Sequence, residues 1–149
     1  MNGGDSFFVD SNVLLYWIGP ATESKRTAAT IWISSLWNHE AGRISWQVIQ
    51  EFYSNATGKL RVPPALARYS AEQLMAWDPE APSLAMLRRA WHWCDKAQIN
   101  YWDAMIVAAA EQSGSRWLLS EDFQTGRTFG EVTVLNPFER APAEFGLSS

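Results

Sequence analysis

One segment restricts the fold more than any other. Ala104-Met105-Ile106-Val107-Ala108-Ala109-Ala110 is apolar on every face of a helix, and such a helix must be buried. Asn100 is placed to cap it, the helix is expected over Tyr101–Gln112, and Gly114 ends it. A buried helix needs layers on more than one side, and the rest of the sequence supplies them. Ser6-Phe7-Phe8-Val9 and Arg116-Trp117-Leu118-Leu119 are too short for helices and read as buried strands. Arg43-Ile44-Ser45 and Glu131–Leu135 read as further strands, and Trp77-Asp78-Pro79 as a short one. Helices are expected over Val13–Ile18, Ser24–His39, Trp46–Thr57 and Ser83–Ala97, with another from Pro63-Pro64 to about Met75. In the fourth of these, Leu84, Leu87, Ala90, Trp91 and Cys94 form the expected inner face. Strands alternate with helices, so the fold class is α/β with a mostly parallel sheet. No repeat or linker divides the chain. A single domain over residues 1–149 is expected, with a loosely ordered tail from about residue 139.

Composition bounds the function. With 149 residues and 47% apolar side chains, a core can form without disulfides, and the lone Cys94 reads as a small buried hydrophobe. The formal charge of -4 counts against a protein that coats nucleic acid through broad phosphate contacts. It does not count against an enzyme whose acidic site holds a cation. Met1-Asn2-Gly3-Gly4-Asp5 lacks a signal-peptide core and no apolar run has membrane-spanning length, so a cytoplasmic setting is expected. The nine tryptophans fit either a Trp-rich core or a partner-binding surface.

The acids carry the chemistry. Asp10 directly follows the first strand, and Asp122 follows Trp117-Leu118-Leu119 within Ser120-Glu121-Asp122. In open parallel sheets, ligands bind beyond such strand ends. Asp103 is the charge in the first turn of the all-apolar helix, where a carboxylate needs a partner. Glu51 borders the apolar stripe of Val48, Ile49, Phe52 and Ala56. Singly, each acid also reads as a cap, a turn or a boundary residue. As a set they match a hard divalent cation, which takes oxygen ligands and drives phosphodiester hydrolysis.

The strings around these acids resemble the PIN domain. Phe8-Val9-Asp10-Ser11-Asn12-Val13-Leu14-Leu15-Tyr16 is similar to its opening motif and Ser45-Trp46-Gln47-Val48-Ile49-Gln50-Glu51-Phe52 to its second. Tyr101-Trp102-Asp103-Ala104 is similar to the third, Leu118-Leu119-Ser120-Glu121-Asp122-Phe123 to the fourth, and Val134-Leu135-Asn136-Pro137-Phe138 to the family's ending. Ser11 stands where many members carry threonine. The chain looks most like the compact VapC-type toxins of bacterial toxin–antitoxin pairs.

That resemblance implies a PIN-like three-layer sandwich and a magnesium- or manganese-dependent endoribonuclease. It further implies a homodimer inhibited by a small cognate antitoxin. Carried over residue by residue, Asp10, Asp103 and Asp122 would ligate the metal, and Glu51 would orient or deprotonate the attacking water. Asn12, Ser120 and Glu121 would support them, with Asp122 preferred over adjacent Glu121 as the fourth acid. Lys59, Arg61, Arg88 and Arg89 are candidates for phosphate contacts. Two alternatives remain, a PIN-like binding module without turnover and an aspartate-based phosphatase, although Asn12 replaces the second acid of the phosphatase Asp-x-Asp pattern. No glycine-rich turn follows the first strand, which disfavours a nucleotide-binding loop.

Overall fold

The computed structural model describes residues 4–147. Strand β1 (Phe7–Val9) is fully buried and lies between β2 (Gly42–Arg43) and β3 (Trp117–Leu119), parallel to both. β5 (Val132–Leu135) continues the parallel sheet beyond β3, and β4 (Thr128–Phe129) closes that edge antiparallel. The strand order is β2-β1-β3-β5-β4. The chain thus leaves β1 toward one side and returns to its other side, making a switch point between β1 and β3. Asp10 N donates to Leu119 O at 3.0 Å, which ties the two strand ends together there.

Six α-helices clothe the described sheet: α1 (Ser11–Ile18), α2 (Glu23–Asn38), α3 (Trp46–Thr57), α4 (Pro64–Leu74), α5 (Leu84–Ala97) and α6 (Tyr101–Gln112). α6 packs against β3 and β5 and carries α5 on its outer side, while α1 packs against α2 and α3. Every residue from Ala104 to Ala110 is buried, as the all-apolar run requires. Side-chain caps start most helices: Ser45 accepts from Val48 N, Ser83 from Met86 N and Asn100 from Asp103 N.

Three expectations are corrected, and β4 is a strand the sequence did not announce. Residues 77–79 form no strand. Met75–Trp77 is a 3-10 helix, Asp78 adopts a left-handed conformation with φ 51°, and Glu80 makes the bridge to Ser45. Gly42 explains the tight packing there, since a Cβ would lie 2.6 Å from the Trp77 ring. The edge strand β4 has only two residues and carries no hydrophobic period to read. The described part of the tail, residues 139–147, is folded rather than loose. A 3-10 helix covers Pro142–Phe145, Phe145 packs on Phe7, Trp32 and Trp117, and Trp32 Nε1 donates to Pro137 O and Arg140 O.

The third correction concerns α5, which is rotated from the expected face. Met86, Ala90 and Trp93 are buried, whereas Leu84 and Trp91 are 57% and 50% exposed. Glu111 of α6 sets this rotation. It accepts from Arg89 Nε at 2.9 Å, Arg89 Nη2 at 3.0 Å and Trp93 Nε1 at 2.6 Å.

Candidate active site

The site forms where β1 and β3 end side by side. Asp10 is the N-cap of α1, so its carboxylate is turned toward the helix start, and Ser11 N donates to Oδ1 at 2.8 Å. Fully buried Ser120, the first residue after β3, donates from Oγ to Asp10 Oδ2 at 2.8 Å. The same Oγ accepts from Asp122 N at 3.1 Å, which draws the turn after β3 around Asp10. Asn12 Nδ2 lies between three oxygens: Asp122 Oδ2 at 3.0 Å, Ser120 Oγ at 3.2 Å and Asp10 Oδ2 at 3.3 Å. Asp10, Asn12, Ser120 and Asp122 are therefore one network across two strand ends.

Glu51 enters from α3. Ser11 Oγ donates to its Oε1 at 3.2 Å, and Gln47, one turn earlier, donates to its Oε2 at 3.1 Å. Gln47 also donates to Trp102 O at 3.2 Å, which links α3 to the start of α6. Serine in place of the commoner threonine keeps the hydroxyl that this contact uses. Asp103 sits in the first turn of α6, where Asn100 both caps the helix and donates from Nδ2 to Asp103 Oδ2 at 2.9 Å.

Glu121 is differently placed from its neighbour. Its carboxylate accepts from Lys25 and Tyr16 of the preceding helices, and only its backbone N–H turns to the site, donating to Asn12 Oδ1 at 3.4 Å. The support expected from Glu121 thus comes through its backbone. Lys25, Tyr16, Ser11 and Gln47 were not singled out as site residues from the sequence. Gln47 could have been found from its one-turn spacing to Glu51. Lys25 and Tyr16 lie 96 and 105 residues from Glu121, with no local signal.

Electrostatics set the acids apart. Burial pushes the Asp10 carboxyl up to about 7 against its bonds from Ser120 and Ser11, and the charges of Glu51 and Asp122 raise it further. Asp103 is raised too, by burial and then by Asp122, against the bond from Asn100. Burial alone would raise Glu121, but the bonds from Lys25 and Tyr16 outweigh it and hold the carboxyl below its usual range. Tyr16 is pushed up to about 12, first by its bond to Glu121 and then by burial.

The donor set fits a hard divalent cation in kind. It is all oxygen, and buried Asp10 is met by hydroxyl, amide and backbone N–H groups rather than by a cationic side chain. Among the described residues, no three Asp, Glu, His or Cys side chains already stand as a cluster able to hold a metal ion. A cation here would therefore bind a few carboxylates with water completing its shell, the usual habit of magnesium.

Of the expected basic residues, Lys59 lines a cavity that touches this site, whereas Arg89 is committed to Glu111. A larger cleft of about 440 Å³ lies at the β2 edge, lined by Trp37, Gly42, Arg43, Trp77 and Glu80. None of Asp10, Glu51, Asp103 and Asp122 lines it. No helix of the described chain is long and apolar enough to cross a membrane.

Comparison with known proteins agrees with this geometry. The family model of the PIN domain matches residues 7–128, a span that contains Asp10, Glu51, Asp103 and Asp122. Among solved structures, the fold is similar to that of VapC20 of Mycobacterium tuberculosis, a toxin that cleaves the sarcin–ricin loop. The TM-score is 0.60 at 20% identity, covering 86% of this chain and 99% of that one. No curated protein matches the chain. With a family model spanning most of its length over a sheet and site of this form, the chain belongs to the PIN domain family.

Proposed function

We propose that this protein is a metal-dependent endoribonuclease, the toxin of a type II toxin–antitoxin pair, acting in the cytoplasm on RNA. The observation that carries the reading is buried Asp10, held without a cationic partner at the β1–β3 switch point and within electrostatic reach of Glu51 and Asp122. The fold of a ribonucleolytic toxin supports it.

Asp10, Asp103 and Asp122 would hold magnesium or manganese. When bound, such a cation activates water and offsets negative charge on phosphate. The chain's own residues do the rest. Glu51, fixed on both carboxylate oxygens by Ser11 and Gln47, orients a water and takes its proton. Asn12 and Ser120 fix the facing orientations of Asp10 and Asp122. The pairing of Glu121 with Lys25 removes one negative charge from the site's surroundings, which favours Asp122 as the fourth acid.

The test is cleavage of RNA, with the sarcin–ricin loop as the first substrate. Activity should require added magnesium or manganese and be lost in Asp10→Asn. RNA binding without cleavage at any metal concentration would make this a binding module instead. Co-expression with the small neighbouring open reading frame should give a complex in which cleavage is suppressed. The reading also includes a homodimer, supported by exposed Leu84, Arg88, Trp91 and Asp95, which form one outer stripe on α5.

A further inference from the structure

A cavity of about 290 Å³ adjoins the acid site and shares a wall with it. Ser11, Asn12 and Asp122 line both. The remaining lining is of two kinds. Leu15, Tyr16, Pro20 and Leu60 are apolar or aromatic, while Asn55 and Lys59 supply an amide and one positive charge.

The apolar wall is built in advance. Leu15 and Leu60 pack on the small core of Ala56, Val62 and Ala67. The turn after α3 is fixed by Leu60 N donating to Asn55 O at 3.0 Å and Val62 N to Ala56 O at 2.8 Å. Lys25 is bonded to Glu121, so it cannot serve an incoming phosphate without releasing that partner. Among the described residues Lys59 makes no ion pair, and it is the only cationic residue in the lining.

Three properties then select the ligand. The cavity lies at the small end of ligand-site volumes, with room for one nucleoside and not for stacked neighbours. Its apolar and aromatic wall suits the face of a base, as in single-strand binding sites. Its one cation stands beside an acidic centre that would otherwise repel the phosphates flanking the cleaved one.

We propose that this cavity is a nucleoside subsite next to the scissile phosphate. One unpaired ribonucleotide seats its base against Leu15, Tyr16 and Leu60, and Lys59 holds the adjoining phosphate. The proposal rests on the nuclease reading and deepens it by naming the residues that hold one nucleotide beside the acid site.

The experiment titrates the four nucleoside 5′-monophosphates and ribose 5-phosphate into the isotope-labelled full chain without divalent metal, following backbone amides by NMR. Shifts are expected at Ser11, Leu15, Tyr16, Lys59 and Leu60, with ribose 5-phosphate at least fivefold weaker. Lys59→Met should weaken binding about tenfold, Lys59→Arg should restore it, and Lys96→Met, outside the lining, should leave it unchanged. Equal binding of ribose 5-phosphate would mean that no base is held. Shifts confined to other residues, or indifference to Lys59→Met, would place the nucleotide elsewhere. A cavity reserved for a protein partner would give no shifts at all. Each of these outcomes overturns the subsite. RNA cleavage by wild type is assayed in parallel: cleavage without mononucleotide binding sinks the subsite alone, and mononucleotide binding without cleavage sinks the nuclease reading and leaves only a nucleotide-binding cavity.

Discussion

Asp10 is 5% exposed, and its carboxyl titrates near 7 because burial disfavours its charge. An acid whose folded pKa is raised binds more protons folded than unfolded. Its stabilising contribution is full below the unfolded pKa near 4 and is lost as pH rises through 7. Asp10→Asn keeps the shape and discards the charge. In EDTA, urea unfolding should therefore show the variant equal to wild type near pH 4 and more stable at pH 8, by on the order of 2–4 kcal/mol. A difference that stays flat across that window would mean Asp10 carries no such penalty. Metal reverses the preference: millimolar magnesium or manganese should raise the wild-type melting temperature at pH 8 and leave Asp10→Asn unmoved. Glu51 is predicted to matter to rate rather than binding. Glu51→Gln preserves acceptance from Ser11 but cannot take a proton, so cleavage should slow roughly 10²–10⁴-fold while RNA affinity stays within threefold. Full activity in that variant would remove Glu51 from the mechanism. Ser120→Ala should cost less rate than either, because the Asp10 carboxylate survives. It should still lower stability by about 1–3 kcal/mol, since Asn12 and Asp122 N lose a buried acceptor.

At the level of elements, α6 joins stability to chemistry through its cap. Asn100 satisfies the helix start and also bonds the Asp103 carboxylate, so Asn100→Ala should lower stability by about 1 kcal/mol and weaken metal binding as well. Calorimetric metal titration separates the two effects. Unchanged metal affinity would mean the cap acts on the helix alone. This helix was the most legible element in the sequence because its pattern is extreme: apolar residues on every face allow only burial, and Asn100 and Gly114 bracket them. The placement of Asp10, Asp103 and Asp122 was legible for a related reason. Each follows a strand or opens a helix, so local order in the chain dictates position in space. Elements whose placement depends on distant partners were not legible. The rotation of α5 is set by Glu111, 22 residues beyond Arg89, and no period within α5 records it. The tail is held by aromatic contacts to Phe7 and Trp32, more than 100 residues earlier, so its own composition looked loose. Glu121 likewise reveals its commitment to Lys25 only when α2 is brought to the turn after β3.

For the whole molecule, a net charge of -4 and an acidic centre leave little long-range attraction for RNA, so on the proposed reading either local basic residues or a dimer groove carries the phosphate contacts. The outer stripe of α5 offers a means. Leu84, Arg88, Trp91 and Asp95 recur at three- and four-residue spacing and are all exposed. A twofold dimer pairs a surface with itself, and antiparallel α5 helices would bring Arg88 of each copy toward Asp95 of the other, with the two Trp91 rings between them. The order of charges along the stripe is thus self-complementary. Exposed ion pairs are worth little singly, about 0.2–1 kcal/mol each, but symmetry doubles them, and a reversed charge adds repulsion where attraction stood. Arg88→Asp alone and Asp95→Arg alone should each weaken dimerisation about tenfold, as read by sedimentation. The doubly swapped chain restores both pairs in reverse and should recover wild-type association. Trp91→Ser, which removes the apolar centre without touching charge, should leave a monomer at micromolar concentration. If the double swap is as weak as the single ones, Arg88 and Asp95 do not face each other and the dimer forms elsewhere. If wild type is monomeric throughout, the stripe is no self-association seam, and the acid site must bind RNA as a single copy.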